Sequence, residues 1–336
     1  MEQNIEYFAQ RIQRLRDEIG RVLVGQRDVV DGVLSCLVAD GHALLEGVPG
    51  LGKTLLVRTL SECLRMEFRR IQFTPDLMPA DIVGTHILEE TEDRGRQLAF
   101  RKGPIFSQIL LADEINRATP KTQSAMLEAM QERQVTIGGK RRMLPQPFFV
   151  MATQNPLEME GTYPLPEAQL DRFFYKILVP FPNLEELVEV MNRTTGNKTQ
   201  AAEPVLTPEE LLQMRSIVRE VQVAPEVMQY AMRLVLGSHP DSNLGTESTK
   251  KYIRYGASPR GAQTLILGGR VNALMEGRHH VAIRDVRKAA IPGLRHRIGL
   301  NFEAESEGMS ADDLVRALLD EVPEVDAAVA REMGAK

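Results

Sequence analysis

The 336-residue sequence has little cysteine and no long apolar run. Cys36 and Cys63 are its only cysteines, too few for a disulfide framework and without a metal-binding spacing. No apolar stretch approaches the roughly 20 residues that a membrane-spanning helix needs, and the charged N-terminus lacks the apolar segment of a secretory signal. We therefore expect a cytoplasmic protein whose two thiols are reduced and buried.

An excess of positive charge is also missing. Lysine and arginine number 41 against 46 aspartates and glutamates, which gives a formal net charge of −5 at pH 7. Proteins that bind nucleic acid over a broad surface normally cluster basic residues, so this balance argues against such a protein. The hydrophobic fraction of 43% and the charged fraction of 26% are ordinary for a globular chain. The length suits about two domains.

Short apolar runs alternate with helical patterns in the first half of the chain. Apolar residues at three- and four-residue steps predict an amphipathic helix over residues 3–20. Runs at 42–46, 109–112 and 148–152 have the length of buried strands. Because strands that alternate with helices form parallel sheets, we predict a parallel α/β fold.

Two β-hairpins are predicted as insertions into this α/β part. Residues 81–102 place apolar segments on both sides of a polar stretch. Residues 135–144 alternate apolar and polar residues around Gly138 and Gly139, which is typical of a hairpin turn. The second hairpin carries a basic cluster formed by Lys140, Arg141 and Arg142.

The pattern changes to helices after residue 182. Residues that typically cap a helix start, with an acid or proline in the first turn, occur at Asn183, Thr207, Ser258 and Ser310. We predict an α/β core with an N-terminal helix over residues 1–182 and a small all-α lid domain over residues 183–336.

Residues 47–54 match a phosphate-binding loop. They satisfy G-x-x-x-x-G-K-[ST] between a predicted strand and a predicted helix, as this motif requires. In such a loop, backbone N–H groups and the helix dipole face the phosphates, Lys53 reaches the β- and γ-phosphates, and Thr54 binds Mg²⁺. The match predicts ATP and Mg²⁺ as ligands, bound by Gly47, Val48, Pro49, Gly50, Leu51, Gly52, Lys53, Thr54 and Leu55.

Polar side chains at the ends of two later strands complete the predicted site. Asp113 and Glu114 follow the apolar run 109–112, and ligands bind at such strand ends in open α/β sheets. Asp113 suits a metal contact through water, and Glu114 suits polarising the attacking water. Asn155 could hydrogen-bond the γ-phosphate and that water, although asparagine before proline also starts many turns. The sequence thus predicts an ATP-hydrolysing enzyme with Lys53, Glu114 and Asn155 as catalytic residues.

Several longer strings are specific to one family. They are VGQ at 24–26, GVPGLGKT at 47–54, RIQFTPDLMPADIVG at 70–84, GPIFSQILLADEINRA at 103–118, MATQNP at 151–156, EGTYPLPEAQLDRF at 160–173 and GASPRG at 256–261. With these strings the chain resembles the AAA+ ATPases, and among them the MoxR family of the helix-2-insert group. The resemblance covers roughly residues 19–322.

This resemblance implies roles that local patterns leave open. Asn155 corresponds to sensor 1, Arg172 to the catalytic arginine finger that enters the neighbouring subunit's site, and Arg260 to a nucleotide-binding sensor 2 on the lid. Each arginine also has a structural alternative. Arg172 could pair with Asp171 or another acid, and Arg260 could form a salt bridge at the start of its helix.

The resemblance further implies a homo-oligomeric, hexameric ring in which ATP hydrolysis moves the lid against the core. The hairpins at 81–102 and 135–144 correspond to the helix-2 insert and the pre-sensor-1 hairpin, which would transmit this motion to a client protein. MoxR-type proteins are associated with partners that carry von Willebrand factor A domains, in chaperone-like maturation or metal insertion. A magnesium-chelatase-type subunit is a variant of this interpretation.

Two other classes of protein stay open. A nucleic-acid motor would use the basic cluster at 140–142 on a phosphate backbone, although a solvated hairpin is the plainer interpretation and the net charge is acidic. A nucleotide-gated switch would hydrolyse ATP slowly, which the intact Glu114 argues against. Gln72, Asn116 and Arg117 are further candidates for orienting Glu114 or lining a subunit interface.

Overall fold

A computed structural model describes residues 2–91, 95–156, 161–195 and 201–325. Parts of four predictions fall outside these ranges. They are residues 92–94 of the first hairpin, Glu160 at the start of one family string, residue 1 and residues 92–94 and 157–160 of the predicted core, and residues 196–200 and 326–336 of the predicted lid. Among the helices in the described ranges, none is both long and apolar enough to cross a bilayer.

A five-stranded parallel sheet forms the centre of the first part of the chain. The strands up to residue 178 are β1 (Ala43–Glu46), β2 (Phe68–Gln72), β3 (Gly84–Thr91), β4 (Gly95–Lys102), β5 (Ile109–Asp113), β6 (Gln134–Ile137), β7 (Lys140–Met143), β8 (Phe149–Gln154) and β9 (Tyr175–Leu178). Strands β2, β5, β8, β1 and β9 lie side by side in this order, and all their pairings are parallel. The three predicted strands are confirmed as β1, β5 and β8.

Helices cover both sides of this sheet. They are α1 (Glu2–Val22), α2 (Arg27–Val38), α3 (Lys53–Leu64), α4 (Pro79–Val83), α5 (Pro120–Glu132) and α6 (Glu167–Leu170), with a 3₁₀ turn at Ile115–Arg117. The predicted N-terminal helix is confirmed as α1, because the apolar residues that predicted it are buried: Ile5, Phe8, Ile12, Leu15 and Ile19.

Successive residues of the central strands face two different hydrophobic clusters. Leu110 and Val150 pack into a cluster that includes α5, whereas Leu111 and Met151 pack into a larger cluster that includes the N-terminal helices. This alternation follows from the strand pleat. Since both faces are covered there, β5 and β8 are apolar up to their carboxyl ends, as buried parallel strands are.

The two predicted hairpins are confirmed as β3–β4 and β6–β7, both antiparallel. The first hairpin begins at Gly84, later than predicted, because the preceding residues form the short helix α4. The hairpins also touch each other, since the guanidinium carbon of Arg142 lies 3.8 Å from the centroid of the Phe100 ring. One member of the basic cluster therefore stacks on an aromatic ring.

The second part of the chain is mainly helical. Its elements are α7 (Leu184–Thr194), α8 (Pro208–Glu220), β10 (Gln222–Val223), α9 (Pro225–Gly237), α10 (Glu247–Tyr252), β11 (Ile253–Tyr255), α11 (Pro259–Met275), β12 (His280–Val281), α12 (Ile283–Leu294), β13 (Gly299–Leu300), α13 (Phe302–Ser306) and α14 (Ala311–Glu321). The short strands, which pair as β10–β12 and β11–β13, were not predicted. The predicted caps at Asn183, Thr207, Ser258 and Ser310 each accept a first-turn backbone hydrogen bond.

One hydrophobic cluster joins the N-terminal helices to this second part. It contains Ile12 of α1 and Leu34 of α2 together with Leu265 of α11 and Leu318 of α14. Helix α1 contacts both α8 and α11. The boundary near residue 182 stays a prediction.

Candidate active site

The loop after β1 and the ends of neighbouring strands enclose a pocket of about 320 Å³. The carboxyl ends of parallel strands meet at one edge of the sheet, so residues distant in sequence converge there. The pocket is lined by Pro49, Gly50, Gly52, Lys53, Thr54, Leu55, Arg70, Asp113, Glu114 and Asn155. Of the predicted loop residues, Gly47, Val48 and Leu51 lie outside this lining.

The loop conformation depends on its glycines. Gly50 and Gly52 have φ values of 84° and 75°, in the left-handed region that favours glycine. Helix α3 then begins at Lys53, and the first N–H groups of a helix have no intrahelical acceptor. The local sequence thus builds a cradle for an anion.

Lys53 is bent back over this cradle. Its Nζ atom donates a hydrogen bond of 2.6 Å to the Gly47 carbonyl oxygen. Burial lowers the pKa of Lys53, and the carboxylates of Asp113, Glu114 and Glu46 act in the opposite direction. These acids help to keep a partly desolvated ammonium charged.

Asp113 and Thr54 provide oxygen atoms suited to a magnesium ion. Both residues line the pocket, and the Asp113 Oδ1 atom is oriented by a 2.6 Å hydrogen bond from the Thr153 hydroxyl. Mg²⁺ prefers oxygen ligands and usually binds through one or two carboxylates plus substrate phosphates. No group of three or more His, Cys, Asp or Glu in the described ranges could hold a metal alone. The residues present therefore fit an ion shared with phosphates.

Glu114 is held by three neighbours. It has a left-handed φ of 56°, and its N–H donates to the Thr153 hydroxyl at 2.8 Å. Its Oε2 atom accepts hydrogen bonds from Gln72 at 2.7 Å and from Arg117 at 2.9 Å. Two of the three residues proposed to orient Glu114 thus contact it. The third, Asn116, is buried.

Arg70 is a pocket residue that the sequence analysis did not identify. Its Nε and Nη2 atoms donate to Oδ2 of Asp113 at 3.1 and 2.6 Å, and Nη2 also donates to Gln72 at 2.8 Å. Arg70 stood only at the start of a family string. Arg70 lies two residues before Gln72 near the end of a strand, and side chains at this spacing project from the same face. This spacing is the signal that could have identified Arg70 as a neighbour of Gln72.

A second, mainly apolar pocket of about 310 Å³ adjoins the first. The two pockets share Pro49, Gly50, Gly52 and Leu55. Apolar walls of the second pocket include Leu23, Val24, Leu51, Phe181, Leu187, Val190 and Met191. The last four, on and before α7, were also missed by sequence reasoning. An apolar cleft beside an anion cradle can hold an aromatic base.

Arg172 and Arg260 lie outside both pocket linings. Arg172 donates to the Leu127 carbonyl oxygen at 3.0 Å, and its buried Nε atom has no hydrogen-bond partner in the described part of the chain. Arg260 is 43% exposed and lies 3.4 Å from a carboxylate oxygen of Asp171. The structure thus contains the ion pair that was the structural alternative for Arg260. Neither role assigned by resemblance is tested by these contacts, and both stay predictions.

Asp171, the neighbour of Arg172, is the centre of a cluster of second-part residues. Ser258 donates to both of its carboxylate oxygens at 2.8 Å, and Arg297 donates to one of them at 2.8 Å. Arg297 is buried, and it also donates to the Phe173 carbonyl at 2.6 Å and the Phe174 carbonyl at 3.1 Å. We call Asp171, Ser258, Arg260 and Arg297 the Asp171 cluster. It fixes the segment around Arg172 to the second part of the chain.

The parallel sheet, the phosphate loop and the acidic strand end define a P-loop nucleotide-binding protein with a helical lid. Residues 42–175 match the ATPase family associated with various cellular activities (AAA), and residues 246–318 match the AAA lid domain.

Relatives extend this match over nearly the whole chain. The chain is 42% identical to the Chaperone MoxR1 of Mycobacterium tuberculosis, over 94% of this chain and 83% of the relative. It is 30% identical to Protein MoxR of Paracoccus denitrificans, over 95% and 97%. A crystal structure of a candidate ATPase from Cytophaga hutchinsonii has a TM-score of 0.89 and 41% identity, covering 96% of this chain and 97% of that chain. The chain belongs to the MoxR family of AAA+ ATPases.

Proposed function

We propose that the chain binds ATP with Mg²⁺ and hydrolyses it as a ring of identical subunits, in order to remodel a partner protein or assist its maturation. The observation that carries this proposal is the convergence of Lys53, Thr54, Asp113, Glu114 and Asn155 on one pocket. These residues come from three separate stretches of the chain. Together they supply the anion site, the metal ligands and the base that ATP hydrolysis requires.

Each side chain has a place in this reaction. The apolar pocket takes the adenine, and the loop N–H groups and Lys53 hold the phosphates. Thr54 and Asp113 would hold the magnesium ion, which when bound neutralises charge on the phosphate oxygens. Glu114 orients and polarises the attacking water, and Asn155 lies where it can contact that water and the γ-phosphate.

Glu114 is oriented through one of its two carboxylate oxygens. Its Oε2 atom accepts hydrogen bonds from both Gln72 and Arg117. Because both donors lie on Oε2, Oε1 is the oxygen that would polarise the attacking water, and neither donor has to leave for turnover.

The ring is proposed from the positions of Arg172 and Arg260. Both lie outside the pockets of their own chain, and both belong to the surface around Asp171. Arg172 is half-buried and donates to the Leu127 carbonyl oxygen, so its guanidinium would have to leave this contact to reach a phosphate of a neighbouring subunit. We propose that Arg172, accompanied by Arg260, completes the site of a neighbouring subunit. A ring of six subunits is the number that the family resemblance implies.

The client role is supported by a relative's name and by the hairpins. The name Chaperone MoxR1 describes a protein that assists others. On the β3–β4 hairpin, Leu88 and Leu98 are paired across the strands and are each 67% exposed, which suits contact with a protein surface. A partner with a von Willebrand factor A domain and a cytoplasmic location remain predictions from the sequence.

Steady-state ATP hydrolysis, measured against protein concentration, tests this proposal. Molar mass by light scattering is recorded on the same samples with and without MgATP. We expect the rate per subunit to rise as ring-sized particles form. A constant rate on a persistent monomer would contradict the ring, and no hydrolysis at any concentration would favour a nucleotide switch.

A further inference from the structure

The Asp113 carboxylate, which is proposed to bind the metal ion, already forms an ion pair with an arginine of the same chain. Two nitrogen atoms of Arg70 donate to Oδ2 of Asp113, at 3.1 and 2.6 Å. The Asp113 side chain is only 13% exposed, and Arg70 is 48% exposed. A charged hydrogen bond to a mostly buried carboxylate is stronger than a fully exposed surface pair. Arg70 is therefore a specific partner of Asp113.

The geometry of β2 explains why Arg70 reaches this site. Side chains alternate along a strand, so Arg70 and Gln72 project from the same face, while Ile71 is buried on the other. Arg69 lies on the face opposite to Arg70 and pairs with Glu67 at 2.9 Å. The strand thus offers two adjacent arginines, of which only one contacts Asp113.

Both oxygens of Asp113 are engaged. Oδ1 accepts from Thr153, and Oδ2 accepts from Arg70. A second cation held at Asp113 and Thr54 would have to share this carboxylate with the guanidinium. Two like charges at one partly desolvated carboxylate oppose each other, so a metal ion and Arg70 cannot both keep their full interaction with Asp113.

We propose that Arg70 competes with the nucleotide's magnesium ion for Asp113 and thereby sets how much metal the site requires. The inference rests on the proposed function, because it assumes a nucleotide-bound metal at Thr54 and Asp113. It adds a residue of this chain that opposes metal binding. Arg70 is a positioning residue in this role, since it acts through Asp113.

Nucleotide affinity measured over a magnesium titration tests the competition. The probe is a fluorescent, non-hydrolysable ATP analogue, whose binding is followed from EDTA up to millimolar Mg²⁺. The measured quantity is the Mg²⁺ concentration at which half of the increase in affinity for the analogue is reached. We expect Arg70→Gln to lower this concentration about two- to tenfold, which is the size of effect expected when a half-exposed ion pair is lost. Arg69→Gln is the matched control and should keep the wild-type Mg²⁺ requirement.

Two results would overturn the proposal. The first is an unchanged or higher Mg²⁺ requirement in Arg70→Gln. The second is an equal loss of affinity for the ATP analogue with and without Mg²⁺, and no loss for ADP, which would make Arg70 a γ-phosphate ligand instead.

Other results separate this inference from the proposed function. If the wild-type chain bound no nucleotide at any Mg²⁺ concentration, the proposed function would fail. If the wild type showed Mg²⁺-dependent binding and Arg70→Gln matched it, only the competition would fail. Should Arg70→Gln lose its fold by circular dichroism, Arg70→Lys serves in its place. It keeps a charge but cannot place two donors on one oxygen, so a smaller decrease in the Mg²⁺ requirement is expected.

Discussion

The phosphate pocket and the Asp171 cluster are built on different principles. The pocket takes its anion cradle from eight consecutive residues, 47–54, and relies on backbone N–H groups and two left-handed glycines. The Asp171 cluster joins side chains that are 87 and 126 positions apart in the chain and relies on charge pairs. The first region forms an anion cradle from one short stretch of chain, and the arginines of the second, Arg260 and Arg297, are not part of its lining.

In the proposed function, the two regions serve different steps: the first serves nucleotide binding and the second serves ATP turnover. Under the same proposal, a subunit that contains the whole cradle would bind a nucleotide alone. Arg172 and Arg260 lie outside that pocket, so their proposed contribution to turnover would depend on a neighbouring subunit. Substitutions in the two regions should therefore have different kinetic signatures.

The largest effect is expected for Arg172→Ala. Loss of an arginine finger lowers turnover by about 10³- to 10⁵-fold, while nucleotide affinity should stay within about twofold because the residue lies outside its own pocket. Hydrolysis rate and equilibrium binding of an ATP analogue are measured on the same preparation.

Mixing two inactive variants tests whether Arg172 acts in the site of a neighbouring subunit. Arg172→Ala keeps Glu114, and Glu114→Gln keeps Arg172, so mixed rings contain some complete sites. We expect activity to return on mixing, and its absence in rings shown to be mixed would place Arg172 in a structural role.

Glu114→Gln should have the next largest effect. Removing a positioned general base costs about 10²- to 10⁴-fold in rate, and the glutamine can still accept from Gln72 and Arg117. Single-turnover hydrolysis and analogue binding are the measurements. Glu62→Gln, on α3 and paired with Arg58, is the control. Equal rate losses in both variants would indicate a general electrostatic effect.

Lys53→Ala should reduce affinity. Loss of a hydrogen bond to a charged group costs about 1.5 to 3 kcal/mol of binding free energy. The dissociation constant should therefore rise about 10- to 100-fold. Equilibrium titration with the fluorescent analogue measures it, with the exposed Lys250→Ala as control. A similar loss in Arg172→Ala would contradict the separation of the two regions.

The smallest effect concerns acid stability of the Arg172 segment. His296 is buried against the Phe173 carbonyl at 3.1 Å. Burial first, then the charges of Arg297, Lys176 and Arg295, lower its pKa well below 6.5. The unfolded chain therefore binds more protons than the folded chain below pH 6.5, and stability is lost as the pH falls.

We expect His296 to account for about 1 to 2 kcal/mol of the unfolding free energy lost between pH 6.5 and 5. Denaturant titrations of the wild type and His296→Gln at both pH values measure it. The variant should lose less stability on acidification than the wild type, and equal losses would contradict the assignment.

Sequence reasoning succeeded where a structure depends on neighbouring residues. The loop at 47–54 and the capped helix starts have local signatures, and apolar runs predicted three central strands. It failed where contact depends on how distant segments meet. Arg70 reaches Asp113 because β2 lies beside β5, and α7 completes the apolar pocket because the chain returns past β9 to the loop. No local pattern marks Arg297 as the partner of Asp171.

The position of α7 has a thermodynamic consequence. Leu187, Val190 and Met191 of this helix line the apolar pocket together with residues 49–52 of the loop. A base bound there would favour this placement of α7, and linkage makes the effect reciprocal. Any partner that draws α7 away must weaken nucleotide binding by the same free energy with which the nucleotide opposes that partner. If a client binds as proposed, displacement of this one helix would make nucleotide exchange responsive to it.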